Sequence, residues 1–266
     1  MRRILSAGIM CLFTTYVSAE NVFVYKDTPI PNDSDWFIGL GGGLAWNHFD
    51  ESTATVPNGS NATPPINNDL YSIQTPSNSA IEQLNVGYRW HQEKKFLPFY
   101  QVYFQYRHTN EVDVNGTIEQ YSLPEFLNYT YSLNYATDLY TINGKFDLVQ
   151  ENRIMPYVAV GAGVIVTHLT NYTESAIPPV TARISPSFQG GTHTSLALIG
   201  GVGVDFILTK NMWLTLGYDH VFQDNASTEQ GSSTWSGTKL SLGNVRADTV
   251  FLNISAKFPD AFLYNA

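Results

Sequence analysis

Two groups of residues in this chain have types and spacings suited to chemistry. His193-Thr194-Ser195 sets an imidazole two residues before a hydroxyl, on the same side of an extended chain. Nucleophilic use of Ser195 would need His193 as base and a carboxylate to orient it. No Glu falls between Glu174 and Glu229, and Asp205 and Asp219 sit on the parity that alternates with the apolar one. The second group is the histidines. His48, His108, His168, His193 and His220 all fall near the same set of segment ends, which brings a metal to mind. His48, His108 and His220, however, continue the apolar parity of their segments, so they are expected to point apart and to hold no shared metal. The glycine clusters Gly39 to Gly43 and Gly200-Gly201-Val202-Gly203 lack both the GxGxxG spacing and a following helix. On a strand, glycine instead relieves crowding.

The elements that must position these residues are strands. After residue 19 no apolar run is long enough for a membrane helix, and the recurring period is two. Eight segments alternate: about 36 to 49, 80 to 91, 97 to 110, 134 to 148, 155 to 169, 193 to 208, 211 to 224 and 245 to 258. Val250, Leu252 and Ile254 alternate with Thr249, Asn253 and Ser255, and Leu214, Leu216 and Tyr218 with Thr215, Gly217 and Asp219. The segment 156 to 169 is apolar or small on both parities.

Connections between segments alternate in length. The long ones are 50 to 79, 111 to 133, 170 to 192 and 225 to 244; the short ones are 92 to 96, 149 to 154 and Thr209-Lys210. Aromatic residues on the apolar parity (Trp36, Trp46, Tyr88, Trp90, Tyr100 and Tyr106) lie toward segment ends, where an interfacial girdle would fall. The other parity carries more charge than an apolar cavity tolerates. Together these features predict an all-β, eight-stranded antiparallel up-and-down transmembrane barrel with four long external loops.

The ends agree with export. Met1-Arg2-Arg3, an apolar stretch from Ile4 to Val17 and Ser18-Ala19 read as a signal peptide over 1–19. Cys11 is the only cysteine and leaves with it, so no disulfide supports the remainder. Loss of two arginines and no acid takes the net charge from −9 to −11, which gives no electrostatic basis for nucleic-acid binding. A chain with 14% charged and 14% aromatic residues suits a wall that faces lipid. Residues 20–35, with Pro29 and Pro31, are expected as a periplasmic lead-in, 36–258 as the barrel and 259–266 as a short extension.

Three segments carry a family resemblance: Trp36-Phe37-Ile38-Gly39-Leu40-Gly41-Gly42-Gly43, Pro156-Tyr157-Val158-Ala159-Val160-Gly161-Ala162-Gly163, and the last strand ending at Phe258. Over roughly 36 to 258 the chain resembles the small eight-stranded outer-membrane proteins of the opacity and OmpA-like transmembrane group. Such chains commonly end on an aromatic residue read by the assembly machinery, whereas here residues 259–266 follow Phe258. The His193-Thr194-Ser195 run resembles the His-x-Ser element of eight-stranded lipid A deacylases, without that family's Glu nearby.

These readings place the chain in the bacterial outer membrane with its loops at the cell surface. Expected partners are outer-membrane lipid and lipopolysaccharide, with the barrel-assembly machinery and periplasmic chaperones during biogenesis. No cofactor and no nucleic acid are expected. An eight-stranded interior is just wide enough for side chains to fill. Arg89, Lys145, Asp147, Asp205 and Lys257, toward the periplasmic end, and Arg107 and Asp219, toward the external end, are therefore expected to pair and plug it. The expected function is a non-catalytic surface barrel for adhesion, host contact or envelope integrity. The alternatives are a narrow channel for small solutes and a lipid A modifying enzyme.

Overall fold

The computed structural model describes residues 34–58, 68–74 and 78–258. The expected signal peptide, residues 20–33 of the expected lead-in and the expected extension from 259 lie outside the described residues. Among the described residues ten strands follow in order: β1 (Asp35–Phe49), β2 (Thr53–Pro57), β3 (Asn68–Ser72), β4 (Ser79–His91), β5 (Phe96–Glu119), β6 (Leu127–Val149), β7 (Ile154–Ala176), β8 (Gly191–Thr209), β9 (Met212–Ser227) and β10 (Ser241–Lys257).

Eight of them form the wall. Each pairs antiparallel with its neighbours, β5 with β6 included, and β1 closes on β10 through a register that runs from Phe37↔Lys257 to Phe49↔Val245. Closure leaves the wall no open edge, so its backbone groups are satisfied within it. Strands β2 and β3 form a separate hairpin that joins the far end of β5.

The wall is apolar on its outside. Leu252 is 52% exposed and Ile142 66%, while their chain neighbours Asn253 and Asn143 are 4% and 2% exposed. That inverts the pattern of a water-soluble barrel, and only hydrocarbon makes it favourable. The two parities of β7 resolve in the same way. Met155, Tyr157, Ile165 and Leu169 face inward, and Val158, Val160 and Val164 face out. Both sides read as apolar because this strand lends aliphatic and aromatic side chains to the lumen.

Beyond the apolar belt the polarity reverses while the strands continue. On β6, Tyr129, Tyr131, Leu133 and Tyr135 are buried inward and Thr130, Ser132 and Asn134 face outward. Nearer the other end, the same inward parity carries Thr141, Asn143, Lys145 and Asp147. The medium outside has changed from lipid to water, so the apolar side must change too. The segment 111 to 133, expected as a loop, is thus mostly wall: β5 runs on to Glu119 and β6 begins at Leu127. On β5 the reversal is masked further by a register shift between Thr109 and Val112, which moves the inward parity from odd to even residues. The loop 50 to 79 contains the β2–β3 hairpin, β7 extends to Ala176, and the last short turn is Lys210–Asn211 rather than Thr209–Lys210.

Candidate functional site

Inward parity and barrel curvature bring the charged side chains of the lumen together. Arg89 donates from Nη2 to Asp147 Oδ2 at 2.9 Å, and its guanidinium lies between Phe99, 3.9 Å from the ring centre, and Trp213, at 4.5 Å. Lys145 Nζ reaches both oxygens of Asp205 at 2.7 and 2.6 Å, over the ring of Tyr157, and Thr215 Oγ1 donates to the same carboxylate. Arg107 grips Asp219 through both terminal nitrogens, at 2.9 and 2.5 Å, and also reaches Gln83 Oε1. These six side chains are nearly inaccessible. Lys257 pairs with Asp35 at 3.3 Å. Asp35 was expected in the lead-in, but it opens β1.

Charged groups so deep in a narrow interior cost several kcal/mol each unless paired. Aromatic side chains fill the space between the pairs. Phe251 and Tyr157 meet at Gly217, where a Cβ would come within 2.3 Å of Phe251 Cζ and 2.4 Å of Tyr157 Oη. Glycine at 217 is therefore a packing requirement of the plug. Two lumen cavities, one beside Arg107 and one beside Lys145, hold about 20 Å³ each, room for roughly one water.

At the external end the four long connections meet in one apolar core. Val56 and Tyr71 come from the first connection, Val114, Ile118 and Tyr131 from the β5–β6 extension, Phe188 from the third and Trp235 and Leu240 from the fourth. At its centre, Arg183 Nη1 donates to Asp69 Oδ2 at 2.6 Å and Nε to Glu174 Oε2 at 3.3 Å. Its guanidinium faces the rings of Tyr129 at 4.7 Å and Trp235 at 5.3 Å. Burial works against the charge on Arg183, but the hydrogen bonds to Asp69 and Glu174 prevail and hold it above the usual guanidinium range. Burial, then the nearby Glu174 charge, pushes the Tyr71 phenol well up.

The sequence did not single out Arg183, Asp69 or Glu174. The usable signal was the period-two run Tyr129, Tyr131, Leu133, Tyr135, which extends a strand beyond the expected boundary. The expected girdle residues sit on the outer face. Trp36 stacks edge-on to Tyr88, Trp90 lies parallel to Tyr100 at 5.1 Å, and Trp46 is 39% exposed. Tyr106 contacts Tyr140 and donates to Asp138.

The histidines correct the sequence reading. His108 and His168 converge on Asp138, at 2.9 and 3.1 Å, and His48 and His220 converge on Asp248, at 3.2 and 2.7 Å. Outward parity spread them around the circumference, but diagonal neighbours on adjacent strands still meet. Ser195 Oγ has no hydrogen-bond partner, so no base is aligned on it.

A closed wall with an apolar outer belt, aromatic residues on its outer face and an ion-paired interior defines an outer-membrane-type β-barrel. No family model and no curated protein matches the chain. Among solved structures it is similar to Neisserial surface protein A (NspA), at 11% identity over 85% of this chain and 99% of that one, with a TM-score of 0.44. OprG from Pseudomonas aeruginosa gives 13%, 86%, 100% and 0.46, and the outer membrane protease OmpT from Escherichia coli 8%, 88%, 99% and 0.45. Those likenesses concern general shape and assign no activity; the class rests on the wall itself.

Proposed function

We propose that this chain is a non-catalytic surface barrel of the bacterial outer membrane that meets the outside through its folded cap, in adhesion, host contact or envelope integrity. One observation carries the reading. The lumen is filled by buried ion pairs, while all four external connections contribute to a single apolar core around Arg183. The wall then serves as an anchor, and the ordered surface offered to the outside is the cap. The unpartnered Ser195 hydroxyl speaks against the lipid A enzyme, and lumen cavities the size of one water speak against a solute path.

The test is production in a non-adherent Gram-negative host, with attachment to cultured cells and detergent resistance measured in parallel. The protein should raise one of these, and Fab fragments raised against the cap should reverse the gain. No gain in either, together with a shift in lipid A mass, would replace this reading with the enzymatic one.

A further inference from the structure

The two histidine sites are copies of one arrangement. In the first, β5 supplies Tyr106 and His108, β6 supplies Asp138 directly across from His108, and β7 supplies His168 one diagonal step further out. In the second, β9 supplies Tyr218 and His220, β10 supplies Asp248 directly across from His220, and β1 supplies His48 one diagonal step further out. Around the wall, β5, β6 and β7 stand four strands away from β9, β10 and β1. Four strands of eight is half a turn, so the sites are diametrically opposed. Both lie on the lipid-facing parity at the external rim of the belt.

In each site one carboxylate accepts from a phenol and two imidazoles. His108 and His220 use Nδ1 toward it, which turns their Nε2 away, and His48 uses Nε2, which turns its Nδ1 away. His168 places its other nitrogen 3.3 Å from Thr192 Oγ1 on β8. The outward nitrogens diverge, and among the described residues no group of three or more His, Cys, Asp or Glu could hold a metal ion. Diverging nitrogens suit hydrogen bonds to surrounding headgroups.

We infer that the two sites are proton-switched contacts for phosphate-bearing lipid headgroups of the outer leaflet. The charges that face each site set the switch. Around the first, Asp138 is joined by Glu82, across from His108 on β4, and by the exposed Glu111 three residues further out on β5; Tyr140 on β6 and Thr192 on β8 are neutral. Around the second, Asp248 is joined by Asp50, Asp224 on β9 and Arg246 on β10, with Leu198 and Gly200 facing from β8 and Trp46 from β1. With neutral imidazoles the first site holds three carboxylates, a net −3. The second holds three carboxylates against one guanidinium, a net −2. Protonating both imidazoles leaves −1 at the first and zero at the second. Histidine is the residue type that changes charge between about pH 5 and 8. In that interval the rim loses most of its repulsion for phosphate and gains four outward or shared N–H donors.

This inference rests on the wall facing lipid, and the experiment separates the two. The protein is reconstituted in bilayers of phosphatidylcholine that contain spin-labelled phosphatidylglycerol or spin-labelled phosphatidylcholine, and the motionally restricted fraction is measured from pH 8 to 5. Restricted phosphatidylcholine reports the wall alone. Preference for phosphatidylglycerol should rise by at least about fivefold on acidification, since a charge at headgroup level is worth about a factor of five and each site gains two. The rise should disappear in a variant with His48, His108, His168 and His220 all changed to Gln that still restricts phosphatidylcholine. A flat profile in the wild type, an unchanged rise in that variant, or abolition of the preference by excess inorganic phosphate would overturn it.

Discussion

Arg183 Nη1 stands 2.6 Å from Asp69 Oδ2, although 114 residues separate them in the chain. Asp69 is fully buried and Glu174 nearly so, and the guanidinium is their shared counter-ion. Arg183→Ala should therefore leave two buried carboxylates unpaired, a change that costs about 3 to 5 kcal/mol where a buried pair is broken. The cost falls on the cap and not on the wall. Protease added to intact cells should cut this variant within 177–190 or 68–74 far faster than the wild type, with the heat-modifiable folded band unchanged. Loss of that band would mean the cap and wall fold as one unit.

The outer face is a second place to intervene. Leu252 is on the lipid side, so Leu252→Arg should destabilise folding by about 2 to 4 kcal/mol, the range for Arg near a bilayer midplane. Thr55→Arg, on the exposed side of the β2–β3 hairpin, should be nearly neutral. Folding titrations in urea with lipid vesicles compare the two. Equal effects would count against a membrane wall.

Arg107 and Asp219 should behave as one unit. Removing either, as in Arg107→Met or Asp219→Leu, strands the other in the lumen, at about 3 to 5 kcal/mol each. The double variant should cost clearly less than the sum of the two, and the same titrations give the coupling directly. Strict additivity would show that the charges do not depend on one another.

Two glycines make a steric contrast. At Gly200 an added methyl meets nothing within 4 Å, whereas at Gly217 it strikes Phe251 and Tyr157. Gly200→Ala should leave stability within about 0.5 kcal/mol, as surface changes usually do. Gly217→Ala should lose about 1 to 3 kcal/mol through overpacking. Tyr157→Phe, which removes the hydroxyl at 2.4 Å, should restore part of that loss.

The wall was legible in the sequence wherever one side met lipid and the other a polar lumen, as along Val250 to Ser255. There the two environments differ enough to sort side chains by parity. Legibility failed in three places, each for a physical reason. Along Met155 to Leu169 the lumen itself turns aromatic and aliphatic, so both parities look alike. From Tyr129 to Tyr135 the strand continues but water replaces lipid outside, and the apolar side switches. Between Thr109 and Val112 an extra residue changes the parity within one strand. The lumen charges could be named because inward parity and narrow width suffice to select them. Arg183 could not, because its partners Asp69 and Glu174 come from connections with no common period. The histidine sites were missed because outward direction was equated with separation, although diagonal neighbours on three adjacent strands lie within reach.

Single-channel recording of the purified protein in planar lipid bilayers bears most directly on whether the barrel is a plugged anchor. With Arg89–Asp147, Lys145–Asp205 and Arg107–Asp219 closed across the lumen, the wild type should show no steady conductance. Steady, ion-selective currents that Asp219→Asn or Lys257→Gln alters would show that the same charges line an open path, and the barrel would be a channel.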